Sequence, residues 1–281
     1  MAKILDGKKI AEEIKDELRL EILALQKKDV VPGLAVVLVG DDAASKVYVG
    51  GKEKVCQELG IFSVVHKLPA NVSESNIINL IQELNADKKI HGILVQLPLP
   101  GNINPQKIIG AISPKKDVDC FHPENVGKMF LGEVIFLPCT PDGIIEILQR
   151  YGIEISGQNV TIVGRSNIVG KPLSMLLLQK NATVTIAHSK TKNLSAETLR
   201  ADILVSATGR AGLITADMVK QGAVVIDVGM NRDEAGKLVG DVDFAGVSAV
   251  AGAITPVPGG VGPMTIAMLM KNTVAAAKNA E

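Results

Sequence analysis

Apolar residues at Ile10, Ile14, Leu18, Ile22 and Leu25 recur every three to four positions. That spacing predicts an amphipathic helix with one buried stripe and a charged, solvated face. Short apolar runs follow, GLAVVLVG (33–40), IFSVVHKL (61–68) and HGILVQLPL (91–99), separated by segments of helical spacing around 43–60 and 74–87. Strand and helix alternating in this way predict βαβ units and a parallel sheet. In TPDGIIEILQRYG, Thr140 is placed to cap a helix and Pro141 to occupy its first position. The rhythm then restarts. NVTIVG, ATVTIAH, ADILVSATG and AVVIDVGM give four strand candidates at Rossmann-like intervals, hence a second α/β domain. The closing PMTIAMLMKNTVAAAKNA is helical, follows the second sheet, and is expected to pack back on the first domain. The predicted organisation is an α/β chain of two domains. Residues 1–138 with the terminal helix 263–281 form the first α/β domain, and residues 139–262 form a Rossmann-like second one.

Composition narrows the function. The chain has 281 residues, 47% of them hydrophobic, enough for two cores. Thirty basic and thirty acidic residues cancel, so no global field recruits nucleic acid or anionic lipid, and a small-molecule partner is favoured. Cys56, Cys120 and Cys139 are odd in number and lack paired metal spacing, which argues against a disulfide framework or a metal site and for a reducing cytoplasm. The charged start has no secretory pattern, and the mature protein is expected to begin there. Residues 244–270 carry no charge, but Pro256, Pro258, Pro263 and five glycines would leave backbone groups unpaired in lipid, so this stretch reads as a buried loop entering a helix rather than a membrane span.

VGRSNIVGKP (163–172) sits where a strand gives way to a helix. A strand ending at Gly164 and a helix opening at Gly170 would aim backbone N–H groups and a helix dipole at a pyrophosphate. The usual second glycine is replaced by Ser166, so the loop is longer than the common fingerprint, and a purely structural turn remains the alternative. Residues 182–193, ATVTIAHSKTKN, hold no carboxylate where an NAD enzyme keeps its ribose-binding acid. His188, Ser189, Lys190 and Lys192 stand there instead, and Arg165 projects from the glycine loop, a set suited to a 2′-phosphate, which favours NADP over NAD. Lys190 and Lys192 also read as solvated loop residues.

In SKVYVGGKEK, Ser45, Tyr48 and Lys52 fall at spacings of three and four, so on a helix a hydroxyl, a phenol and an amine share a face. A surface helix with an exposed lysine is the alternative. Gly50 and Gly51 cost about 1 kcal/mol each in helix propensity, so an irregular segment is expected. Gln96 closes GILVQ ahead of Pro98, and Asp119 lies in KKDVDCFHP, both at the expected carboxyl side of the first sheet. These five residues are expected to converge on a cleft facing the cofactor loop, where desolvation would lower the Lys52 pKa and fit it for proton transfer. His66, His91 and His122 read as packing or loop residues.

YVGGKEK, GILVQLPLP, PKKDVDCFHPENVG, PCTPDGIIEIL, VGRSNIVGKP, ATVTIAHSKT and PVPGGVGPMT, in this order, resemble the bifunctional methylenetetrahydrofolate dehydrogenase/methenyltetrahydrofolate cyclohydrolase family, the bacterial FolD proteins, across essentially the whole chain. The resemblance implies an enzyme of one-carbon metabolism and purine biosynthesis. It would oxidise 5,10-methylenetetrahydrofolate with NADP⁺ and hydrolyse the methenyl product to 10-formyltetrahydrofolate. It further implies that Lys52 is the catalytic lysine, Gln96 its partner, Tyr48 the residue lining the folate, Asp119 the anchor of the pterin and Ser45 a supporting polar group. Gly164, Arg165, Ser166, Ser189 and Met230 would bind the cofactor, and Pro258, Gly259, Gly260 and Val261 would form a loop between the two ligands. The resemblance implies a homodimer, tetrahydrofolate derivatives as small-molecule partners, and no metal. One departure is Cys120, where the family commonly has glycine; it is either a strained position able to shift Asp119 or a tolerated small side chain. The rivals are a dehydrogenase without hydrolase activity and a nucleotide-binding regulatory module without turnover.

Overall fold

The structure, a computed structural model, describes residues 1–133 and 135–280. The chain begins β1 (Lys3–Ile4), α1 (Gly7–Gln26), β2 (Gly33–Val39), α2 (Ala43–Leu59), β3 (Phe62–Leu68), α3 (Glu74–Ala86), β4 (Gly92–Val95), α4 (Pro105–Ala111), α5 (Pro123–Leu131) and α6 (Cys139–Arg150). It continues β5 (Asn159–Val163), α7 (Gly170–Gln179), β6 (Thr183–Ala187), α8 (Leu194–Thr198), β7 (Ile203–Ser206) and β8 (Val224–Asp227). The last elements are β9 (Asn231–Arg232), β10 (Leu238–Val239), α9 (Phe244–Val250), β11 (Ala253–Ile254) and α10 (Val261–Lys278). Two compact units result: residues 13–139 with 266–281, and residues 1–12 with 140–265.

The first of these units holds a parallel three-stranded sheet in the order β3-β2-β4. Every residue of β2 is buried, because a central parallel strand is covered on both faces; that is why it reads as an unbroken apolar run. Val37, Val39, Ile93 and Val95 pack with Ile77, Ile81 and Leu84 of α3 in one core. From α1, Ile14, Leu18, Ile22 and Leu25 are buried, as the helical spacing predicts. The helix α2 runs without a break through Gly50 and Gly51, contrary to the irregularity expected from their propensity. Its ends account for this. The Asp42 carboxylate accepts from the Ser45 N–H at 2.7 Å, Gly60 closes the other end in the left-handed region, and Val49, Cys56 and Leu59 are buried between.

The second unit carries a parallel six-stranded sheet in the order β1-β11-β8-β7-β5-β6. The four strands predicted from sequence are β5 to β8; β1 and β11 extend them. The expected boundary at residue 138 is therefore corrected at the amino terminus, since residues 1–12 group with this sheet and not with residues 13–139. Lys3 and Ile4 pair in parallel with Ala253 and Ile254, and the Leu5 and Lys8 N–H groups donate to the carbonyls of Ile254 and Gly259 at 2.8 and 2.9 Å. The uncharged stretch 244–270 is more ordered than the loop expected, containing α9, β11 and the start of α10. Among the described residues no helix is long and apolar enough to cross a membrane.

Candidate functional site

In a doubly wound sheet, ligands gather at the carboxyl ends of the strands where the chain reverses its direction of winding. Each unit has one such point. In the three-stranded sheet it lies between β2 and β4, because β3 was added on the other side of β2. Lys52 and Gln96 meet there. Lys52 is 6% exposed on α2, and its Nζ donates to Gln96 Oε1 at 2.9 Å. Gln96 follows the last residue of β4; its backbone N–H donates to the Val37 carbonyl and its Nε2 to the Leu97 carbonyl, so the oxygen is turned toward the lysine. Burial lowers the Lys52 pKa, and the nearby Asp119 carboxylate only partly opposes it.

Asp119 arrives on a segment that extends the sheet beyond β4, with Asp117 in register with Ile93. Its carboxyl is enclosed even though the residue as a whole is half-buried. Burial pushes its pKa up to about 6 against the attraction of Lys52. Asp117 shapes the turn that presents it, accepting from the N–H groups of Phe121 and His122 and from Asn125 Nδ2. Ser45, 4% exposed, and the half-buried Tyr48 lie two turns and one turn before Lys52 on α2, and burial raises the Tyr48 phenol pKa. The sequence reasoning missed Cys139. Its thiol donates to the Val118 carbonyl at 3.4 Å and to Asp119 Oδ1 at 3.6 Å, and it receives Asn272 Nδ2 from α10. A cysteine ahead of a helix start carries no local signal of such a contact.

Cys120 adopts φ +58°, the left-handed region that favours glycine. It is fully buried, and its thiol donates to the Phe136 carbonyl at 3.3 Å. Its N–H donates to the Asp117 carbonyl at 3.0 Å, which closes the turn beside Asp119.

In the six-stranded sheet the reversal lies between β5 and β7. Gly164 follows β5 at φ +133°, and a Cβ there would run into the Ala207 carbonyl of the loop after β7. Gly170 is equally pressed against the Gly164 carbonyl. The two loops touch, and only glycine allows it. Ser166 does more than the sequence indicated. Its Oγ accepts the Val169 and Gly170 N–H groups at 3.1 and 3.4 Å, and its carbonyl accepts that of Lys171. Those first donors of α7 are thus already paired and are not available to a phosphate, a correction to the expected free N–H groups.

Strand register places the other cofactor candidates. Val163 pairs with Ala187, so Arg165 and Ser189 each lie two residues beyond the last pair on adjacent strand ends, both exposed. The turn after β6 is fixed by His188, whose N–H donates to Thr191 Oγ1 and whose Nδ1 accepts from Lys190. Met230 is exposed just past β8, with its sulfur 4.0 Å from the position a Cβ on Gly262 would take. Pro258, Gly259, Gly260 and Val261 form the turn into α10, held through the Lys8-to-Gly259 bond. A dinucleotide suits this set: a glycine-tight crevice, an exposed guanidinium and hydroxyl, and no carboxylate in the turn after β6.

Comparison with known proteins identifies the family. The tetrahydrofolate dehydrogenase/cyclohydrolase catalytic domain matches residues 5–119, and the NAD(P)-binding domain of the same family matches residues 138–281. The chain belongs to the tetrahydrofolate dehydrogenase/cyclohydrolase family. A bifunctional protein FolD of Moorella thermoacetica is 57% identical over 277 residues, which is 99% of each chain. The crystal structure of the bifunctional enzyme FolD from Campylobacter jejuni matches with TM-score 0.97 at 50% identity, over 99% of both chains. The Trypanosoma brucei FolD, crystallised with NADP and an inhibitor, matches with TM-score 0.95 at 39% identity, over 99% of this chain and 98% of that one.

His91 Nδ1 accepts from the Gly33 N–H, His122 Nδ1 caps α5 through the Glu124 N–H, and the buried His66 Nε2 finds no hydrogen-bond partner among the described residues. Among the described residues no cluster of His, Cys, Asp or Glu could hold a metal ion.

Proposed function

We propose that this protein oxidises 5,10-methylenetetrahydrofolate with NADP⁺ and hydrolyses the resulting 5,10-methenyltetrahydrofolate to 10-formyltetrahydrofolate. The observation that carries the reading is the buried Lys52 amine held by Gln96 at 2.9 Å beside Asp119. A lysine whose pKa is lowered by burial takes a proton from water near neutral pH more readily than an exposed one. As water adds to the methenyl carbon, Lys52 accepts its proton and Gln96 keeps the amine oriented; the bond from that carbon to N5 then breaks, N5 takes the proton back from Lys52, and the hydroxyl loses its own proton to solvent as it becomes the carbonyl of the formyl group left on N10. Asp119 anchors the pterin through its carboxylate, Tyr48 lines the folate, and Ser45 supports that wall.

Bound NADP⁺ supplies the acceptor for the hydride that leaves the methylene carbon. Nitrogen lone pairs of the folate drive that departure, so what the chain must supply for it is mainly position. Gly164, Arg165, Ser166, Ser189 and Met230 hold the nucleotide, and Pro258, Gly259, Gly260 and Val261 form the neighbouring loop. NADP is preferred over NAD because Arg165 and Ser189 occupy the strand ends and residues 182–193 contain no carboxylate.

The protein acts as a homodimer in the cytoplasm. Among the described residues β3 pairs only with β2, which leaves a sheet edge with an exposed Phe62 for a second copy. Three buried cysteines, none in a disulfide, suit a reducing compartment.

The test follows one cuvette. With methylenetetrahydrofolate, absorbance rises only when NADP⁺ is added, and the methenyl signal then decays. A rise without decay supports a dehydrogenase alone, and no rise supports a regulatory module.

A further inference from the structure

Asp241 is fully buried, 0% exposed, and takes no part in the chemistry proposed above. Its two carboxylate oxygens collect five donors. Oδ2 accepts from Ser206 Oγ at 3.2 Å, from the Thr208 N–H at 2.6 Å and from the Gly209 N–H at 3.3 Å. Oδ1 accepts from the Arg210 N–H at 3.0 Å and from Asn231 Nδ2 at 2.9 Å. Three successive backbone N–H groups of one turn therefore converge on a single side chain, an anion-binding concavity filled from within. This is more than burial of a carboxylate requires, and each partner belongs to the same rim. Residues 207–210 form the loop after β7, which Gly164 touches, and Asn231 adjoins Met230 after β8.

Asp241 is itself pinned. Its N–H donates to Asp227 Oδ1 at 3.0 Å, while Asp227 also receives the N–H groups of Val242 and Gly229. Thr255 Oγ1 in turn accepts the Asp227 N–H at 2.8 Å. A Cβ on Gly229 would collide with the Asp241 carboxylate, so the loop after β8 closes directly over it.

We propose that Asp241 is a positioning residue for the nicotinamide nucleotide: it sets the loops after β7 and β8 against the glycine loop and so fixes the width of the crevice between β5 and β7. This rests on the reading that NADP⁺ occupies that crevice. Asp241→Asn keeps the shape but turns one acceptor into a donor facing N–H groups, which forces at least one loop to move. Calorimetry should show the Kd for NADP⁺ rising tenfold or more, while hydrolysis of methenyltetrahydrofolate without nucleotide stays within twofold of the parent. An unchanged Kd, or a parallel loss of both quantities, overturns the proposal. If that variant does not fold, Ser206→Ala serves instead: Ser206 is fully buried and its hydroxyl donates to Asp241 Oδ2, so a Kd raised twofold to fivefold supports the proposal and an unchanged Kd overturns it. Absence of NADP⁺ binding by the parent protein would overturn the underlying reading as well, and so separates the two failures.

Discussion

Replacing Lys52 by methionine separates what that side chain does for catalysis from what it costs the fold. Methionine keeps most of the aliphatic length and removes the ammonium. Gln96 Oε1 then loses the donor it has at 2.9 Å, a loss of about 1–3 kcal/mol for a buried acceptor. Against this, enclosing an ammonium costs several kcal/mol before compensation, and that cost, which lowers the Lys52 pKa, disappears. The two nearly cancel, so stability should stay within about 2 kcal/mol of the parent, on balance upward, and Tm should change by no more than about 4–8 °C. The pH dependence gives a sign. A basic group whose folded pKa lies below its unfolded value leaves the unfolded chain holding more protons, so the parent gains stability as pH rises from the folded value toward 10.5. The Lys52→Met protein should lack that slope. Hydrolysis of methenyltetrahydrofolate, followed by loss of its absorbance, should fall about 10²–10⁴-fold, the usual reach of a general base. That is roughly 3–5 kcal/mol of barrier. Oxidation of methylenetetrahydrofolate should survive at a measurable rate, because the folate's own nitrogens expel the hydride. Hydrolysis within tenfold of the parent, or a variant that melts far below it, would refute this reasoning.

Three further outcomes are expected. Arg165→Ala should weaken NADP⁺ binding at least tenfold in calorimetry while leaving NAD⁺ binding nearly unchanged; equal losses for both nucleotides would remove the 2′-phosphate assignment. Asp119, whose pKa stands at about 6 in the fold against 3.8 ordinarily, contributes stability in its protonated form that is lost as pH rises between those values. Its carboxylate is the form that accepts hydrogen bonds from a pterin, so the folate KM should fall as pH rises through about 6, and Asp119→Asn should flatten that profile; parallel profiles would count against the anchor. In Cys120→Gly, relief of the left-handed backbone returns about 1–2 kcal/mol. Loss of the buried Cβ and sulfur removes about as much again. A freer unfolded chain takes a further 0.5–1 kcal/mol or so. Urea titration should therefore show a small net loss of about 0.5–1 kcal/mol with an unchanged folate KM, whereas a KM shift beyond threefold would mean that Cys120 displaces Asp119.

What could be read from the sequence follows from where periodicity survives. The strands β2 and β5 are central and buried on both faces, so their apolar runs stand out, and α1 shows its buried stripe at regular spacing. The triad of Ser45, Tyr48 and Lys52 was legible because helical spacing alone puts three polar groups on one face. By contrast, β1 and β11 have two residues each, too short for any pattern, and their pairing joins positions about 250 apart. The Asp227 and Asp241 network was hidden for another reason: two acids among glycines look like turn residues until the fold closes N–H groups around them. Ser166 was seen as a missing glycine, whereas its hydroxyl ties the loop to α7.

The pairing of β1 with β11 also bears on how the polypeptide is made. Residues 1–12 are synthesised long before their strand partner, residues 253 and 254, and residues 13–139 likewise wait for 266–281. Neither half can therefore be cut out as a continuous stretch of gene. Nascent chains arrested before about residue 255 should keep residues 1–12 protease-sensitive, and these become protected only once β11 has been made.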